Sequence, residues 1–136
     1  MGNMYLRKWL NDTFIKDIFS AEEMKAVTLS DVSADKNPNY YTNQGNDTKD
    51  KLFLLSIKEV KQYLVSNEKI LCKPTEYAVN NGTDENKRGH GIWWLRSAGT
   101  YSNDAAIVNY YGCVYCDGRN VNDYSGSVRP AFWLNL

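Results

Sequence analysis

Apolar residues recur at helical spacing from the start of the chain. Leu6, Trp9, Leu10, Phe14, Ile18 and Phe19 predict a helical first stretch, and Asn11-Asp12-Thr13 reads as a cap that starts a second helix within it. Ser20 followed by Glu23 is a capping box that opens another helical turn. "SDVSADKNPNYYTNQGNDTKD" reads as a long polar loop broken by Pro38 and Gly45. "KLFLLS" then predicts a short buried strand. Ser56 with Glu59 forms a second capping box, and Val60, Tyr63 and Leu64 mark the inner face of the helix it starts. "CKPTEYAVNNG" predicts a capped single turn ending at Asn81-Gly82, and "TDENKRGHG" a polar loop.

The period changes after that loop. "GIWWLRS", "AAIVNYY", "CVYCDG", "RNVND" and "SVRPAFWLNL" read as strands. Asp117-Gly118 is the strongest hairpin-turn pair, with Tyr111-Gly112 and Ser125-Gly126 weaker. Alternation sends Val108, Val114 and Val121 inward, and Tyr115 and the turn residues outward. Trp93 and Trp94 are adjacent, so they face opposite sides of a strand. Helices followed by an antiparallel meander predict an α+β fold, in one domain over 1–136 whose 91–136 half is strand-rich.

With 136 residues the chain buries roughly two-thirds of its unfolded surface, enough for one ordinary core. Sixteen basic and sixteen acidic residues leave no net field to attract nucleic acid or an anionic membrane. The longest apolar runs are far too short to span a bilayer. The first residues lack the pattern of a signal peptide, and Leu6 stands where a myristoylation site carries Ser or Thr.

Little candidate chemistry stands out. Three cysteines argue against a disulfide framework. Cys113 and Cys116, three apart on a strand, point to opposite faces, so all are expected as free thiols. One histidine, His90, lies between glycines and suits a turn better than a general base. Pro74–Glu76 and Trp133–Asn135 only distantly resemble the calcium motifs of sugar-binding lectins. No metal or other cofactor is expected, with Asp104, Asp117 and Asp123 as solvated turn residues. Arg96 and Arg129 beside apolar strands read as structural ion pairs. No catalytic triad, carboxylate pair or phosphate loop appears, so a binding protein is expected rather than an enzyme.

The informative feature is a change in composition. From Gly91 onward there is no lysine and no glutamate, and the only ionised residues are Arg96, Arg119, Arg129, Asp104, Asp117 and Asp123. Tyr, Asn, Ser and Gly take over, the residue types of adaptable binding surfaces. The candidate ligand contacts are Tyr101, Ser102, Asn103 and Asp104; Asn109, Tyr110, Tyr111 and Cys113; Tyr115, Cys116 and Asp117; and Asn120, Asn122, Asp123 and Tyr124. Another role fits the same residues: a structural domain whose C-terminal face packs on another chain.

"LRKWLN", "FSAEE", "LFLLSIKEVKQYL", "WWLRS", "AAIV" and the ending "VRPAFWLNL" together resemble an uncharacterised family of gut Firmicutes and their phages. That family resembles the C-type-lectin fold in its formylglycine-generating-enzyme-like branch. Enzymes of that branch use a cysteine pair with copper, so the resemblance also implies a third reading, an oxidase with Cys113 and Cys116 as the only candidates. The resemblance implies a receptor-binding face near the C-terminus, display on a virion or cell surface, and a protein or glycan partner there. Members of that family usually carry a further strand ahead of the first helix, so the resemblance implies either that another segment closes the sheet or that this is a trimmed domain. The same branch includes the variable proteins of diversity-generating retroelements, in which adenine replacement turns Asn codons into Tyr, Cys, Asp, Ser, His or Gly. The run 101–124 uses mostly those residues, which would account for two cysteines without an evident purpose.

Overall fold

The structure is a computed structural model and describes residues 4–136. It is mixed α+β. The first helix runs as α1 (Met4–Trp9), a π turn (Leu10–Phe14) and α2 (Ile15–Ile18), followed by α3 (Ala21–Ala26). The expected cap at Asn11 is absent, because the backbone stays helical through the π turn. Asn11 instead faces another segment. Its amide nitrogen donates to Leu52 O at 2.9 Å, and its oxygen accepts from Lys51 N and Leu52 N at 2.9 and 3.0 Å.

Both capping boxes form as expected, at Ser20–Glu23 and at Ser56–Glu59, where α4 (Ile57–Tyr63) begins. α5 (Asn67–Ile70) was not signalled by the sequence pattern, and α6 (Glu76–Asn80) is the expected turn capped by Thr75. The long polar loop closes on itself through β1 (Ser30–Val32) and β2 (Thr48–Asp50), which pair antiparallel. "KLFLLS" is buried but is not a regular strand. Among the described residues its one bridge joins Phe53 to Ala131, with backbone bonds of 3.0 and 2.8 Å.

The main sheet runs β5-β4-β3-β6, from β3 (Ile92–Ala98), β4 (Asp104–Val108), β5 (Val114–Asn120) and β6 (Gly126–Ser127). β3, β4 and β5 form the expected meander. β6 returns to the far edge and pairs parallel with β3, so the sheet is mixed rather than a continued meander. The rest of "SVRPAFWLNL" is a strap held by isolated backbone contacts at Ala131, Trp133, Leu134 and Asn135.

Alternation along β3 divides the core. Ile92 and Trp94 join Leu10, Ile15, Leu52 and Leu54 on one face, while Trp93 and Leu95 join Ile57, Val60 and Ile70 on the other. Both tryptophans are therefore core. Tyr63 is not on the inner face of α4; it is exposed and meets Trp133 edge-on. Val121 is likewise exposed, because it lies beyond the end of β5.

The two arginines differ. Arg96 is the expected ion pair, bonding Glu59 and lying 3.5 Å from Asp35, with the side chains of all three largely buried. Arg129 makes no ion pair among the described residues. It lies 4.8 Å over the Trp93 ring and donates to Lys69 O and Ile70 O.

Candidate functional site

Asp117-Gly118 was expected to turn a hairpin, but both residues lie inside β5. The register explains why: Tyr115 pairs with Ile107 and Arg119 with Ala105, so β5 carries extra residues against β4, a bulge. Gly118 has φ +77°, and a Cβ there would lie 2.3 Å from Ala105 O. Only glycine fits. The bulge turns Asp117 outward, where its carboxylate accepts from the Tyr40 hydroxyl. That hydrogen bond, the largest influence, holds the Tyr40 phenol above its ordinary value.

The hairpin turn instead falls at 109–113. Asn109 closes it, with its side-chain oxygen accepting from Tyr111 N and Cys113 N at 3.0 Å each. Gly112 supplies the left-handed backbone (φ +79°) and rests against Ile70 and Leu71. Asn120 does the same work past β5, accepting from Asn122 N at 3.0 Å, and Asp123 accepts from Ser125 N at 2.8 Å. Hydrogen bonds from Ser125 come first among the causes that hold the Asp123 carboxyl below its ordinary value; burial opposes them, and Arg119 adds a lesser downward pull.

The candidate residues do not form one patch. Tyr101, Ser102 and Asn103 make the exposed β3–β4 turn. Asp104 pairs with Asn120, and Val121 N donates to Asn103 O, so 101–104 and 120–122 share one end of the sheet. Asp117 lies close by, its carbonyl accepting from Thr100 N. Asn109, Tyr110, Tyr111 and Cys113 sit at the opposite end, about 20 Å away along a seven-residue strand. Residues 121–125 cross between the ends, since Ser125 O accepts from Asp84 N and Gly126 pairs with Ile92. Tyr115 lies between, in a row with Ile107 and Trp94.

Side-chain surroundings separate these residues further. Tyr101, Tyr111, Tyr115 and Tyr124 are 68, 74, 46 and 84% exposed. Tyr110 is half-buried and packs against the core cluster that contains Trp94. Cys116 packs against the other core face, while Cys113 is exposed; these and Cys72 are free thiols.

Beside Tyr110 and Tyr111 lies a cleft of about 640 Å³, also lined by Asn67, Leu71, Glu85, Asn86, Lys87, Arg88 and His90. The sequence pattern placed the last five in an unassigned polar loop. Asn86 orders that loop as Asn109 orders its turn, its side-chain oxygen accepting from Arg88 N and His90 N at 3.0 and 2.9 Å. Its amide nitrogen donates to Tyr110 O at 3.3 Å, which joins the two turns. A second cleft of about 280 Å³ is lined by residues including Asn37, Asn39, Tyr40, Tyr41 and Thr42. Their "NPNYYTN" composition matches the C-terminal run, a signal available in the sequence.

No curated protein and no solved structure gives a match to this chain. Residues 3–136 match a domain of unknown function, DUF6273, across nearly the full length, and the chain belongs to that family.

Proposed function

We propose that this chain is a non-catalytic binding module on a C-type-lectin-like scaffold, presenting tyrosines to a protein or glycan at a cell surface. The observation that carries this reading is the exposure of Tyr101, Tyr111, Tyr115 and Tyr124 on an edge strand and on turns whose backbones are tied down. Tyrosine brings large amphipathic contact area at low entropic cost, and prior ordering of the turns reduces what binding must fix. The split between two ends favours a partner large enough to span about 20 Å. Because Asn109 and Asn120 close turns, this reading rests on the tyrosines and not on diversification of the asparagines. Binding of labelled chain to arrayed glycans and cell-surface proteins tests it. The variant with alanine at Tyr101, Tyr111, Tyr115 and Tyr124 loses the signal if the reading holds.

A second reading has its own support. Phe132, Trp133, Leu134 and Leu136 are exposed along the C-terminal strap, beside Tyr63 and Phe19. Large apolar side chains left exposed along one segment suit a protein contact. Sedimentation of the wild type and of Trp133→Ser tests whether the strap packs on another chain: self-association that the substitution abolishes favours this assembly role.

A further inference from the structure

The geometry points to the cleft between the Asn86 loop and the Asn109 turn as a subsite for an acidic saccharide, one carrying a carboxylate on a pyranose ring. The inference rests on the binding-module reading and adds to it a place and a ligand class. Three observations lead to it.

The first is unused polar chemistry. Among the described residues no hydrogen bond or ion pair engages the side chains of Asn67, Glu85, Lys87 or Arg88, all of which line the cleft. Lys87 and Arg88 share the lining with Glu85, and the Asp84 carboxylate beside it accepts from the Tyr110 hydroxyl at 3.5 Å, so the attraction for an acid comes from the unpaired guanidinium rather than from a net positive field. Arginine suits a carboxylate because its guanidinium donates two parallel hydrogen bonds. Asn67 and Glu85 offer donors and acceptors for ring hydroxyls.

The second is the aromatic corner. The Tyr110 and Tyr111 rings lie 6.2 Å apart at 78° to each other. One ring is fixed by the core and the other is open to solvent, which leaves a flat apolar wall for the C–H face of a sugar. The cleft falls within the range of about 300–1,000 Å³ typical of small-molecule sites.

The third separates a saccharide from a peptide. Extended peptides bind through backbone hydrogen bonds. Here the amides of Arg88, His90, Tyr111 and Cys113 already donate to Asn86 and Asn109. The unengaged side chains are then the main readers of a ligand, and the hydroxyls, carboxylate and ring face of a sugar acid match them.

The test is a titration of the 15N-labelled chain with sodium glucuronate and with sodium N-acetylneuraminate, against glucose and against sodium chloride of equal strength. The expected result is amide shifts confined to residues 85–90 and 109–113 with a sugar acid, weaker with glucose and absent with salt. Arg88→Ala and Tyr111→Ala, both of exposed residues, should each weaken binding by about tenfold while the remaining spectrum is unchanged. Silence with both acids at millimolar concentration overturns the inference, as do equal shifts with glucose. Shifts at 101–104 and 120–122 instead overturn the cleft assignment and leave the binding-module reading standing. That reading fails separately, if the four-tyrosine variant keeps the array signal of the wild type.

Discussion

Asn37 is 5% exposed, and its amide nitrogen donates to Ala98 O and to Cys116 O, both at 2.8 Å. From the sequence it was one polar residue in a polar loop. In the fold it fastens that loop to two neighbouring parts of the sheet. Asn37→Ala leaves both carbonyls without this donor and is expected to cost about 2–3 kcal/mol, read as a lower denaturant midpoint at unchanged slope. Tyr111→Ala, which removes an exposed ring, should shift stability by less than about 0.5 kcal/mol. Asp35 supplies a pH dependence. Burial pushes its carboxyl up, but hydrogen bonds from Ser56 and Ser33 and the charges of Arg96 and Lys58 hold it below its ordinary value. The unfolded chain therefore binds this proton more readily. The stability Asp35 contributes is present above its unfolded value of about 4 and is lost as pH falls through the lower folded value. Urea unfolding from about pH 5 down to about pH 2 should show a shallower acid loss in Asp35→Asn than in the wild type.

At the scale of elements, local chemistry was legible where it acts within four residues. Both capping boxes, the Thr75 cap and the Gly112 turn formed where the residues placed them. What could not be read locally was decided by contacts distant in sequence. Asn11 turns toward Lys51 and Leu52 rather than capping a helix, and Gly118 meets Ala105 across the sheet rather than turning a hairpin. Gly118→Ala is expected to cost about 3 kcal/mol or more, combining left-handed backbone strain with a backbone clash, with melting temperature as the readout. The Ser56–Glu59 box is also more than a cap. Ser56 donates to Asp35, and Glu59 bonds Arg96, so helix, loop and β3 share one network. Arg96→Ala leaves two largely buried carboxylates facing each other and should cost about 3–5 kcal/mol, well above the effect of removing an exposed ion pair such as Lys25–Glu22.

For the whole molecule, the α+β class followed from the order of helical and strand periods; the adjacent tryptophans pointed to opposite faces with at least one in the core, and the structure buries both. The site was only half legible. Composition singled out the C-terminal tyrosines, yet it could not show that they divide between two ends of the sheet. Nor could it show that Lys87 and Arg88, in the other half of the chain, join one of those ends. That join depends on Asn86 meeting Tyr110 across 24 residues, which no short-range pattern reports. The molecule so described separates a frame closed by buried asparagine and arginine networks from a surface of tyrosines that the frame does not need. The variant with alanine at Tyr101, Tyr111, Tyr115 and Tyr124 tests that separation most directly, with thermal melting and array binding measured on the same preparation. The account predicts a melting temperature within about 2 °C of the wild type, as expected for exposed positions, together with loss of binding. A fall in melting temperature of about 8 °C or more, or binding retained at full strength, would contradict it.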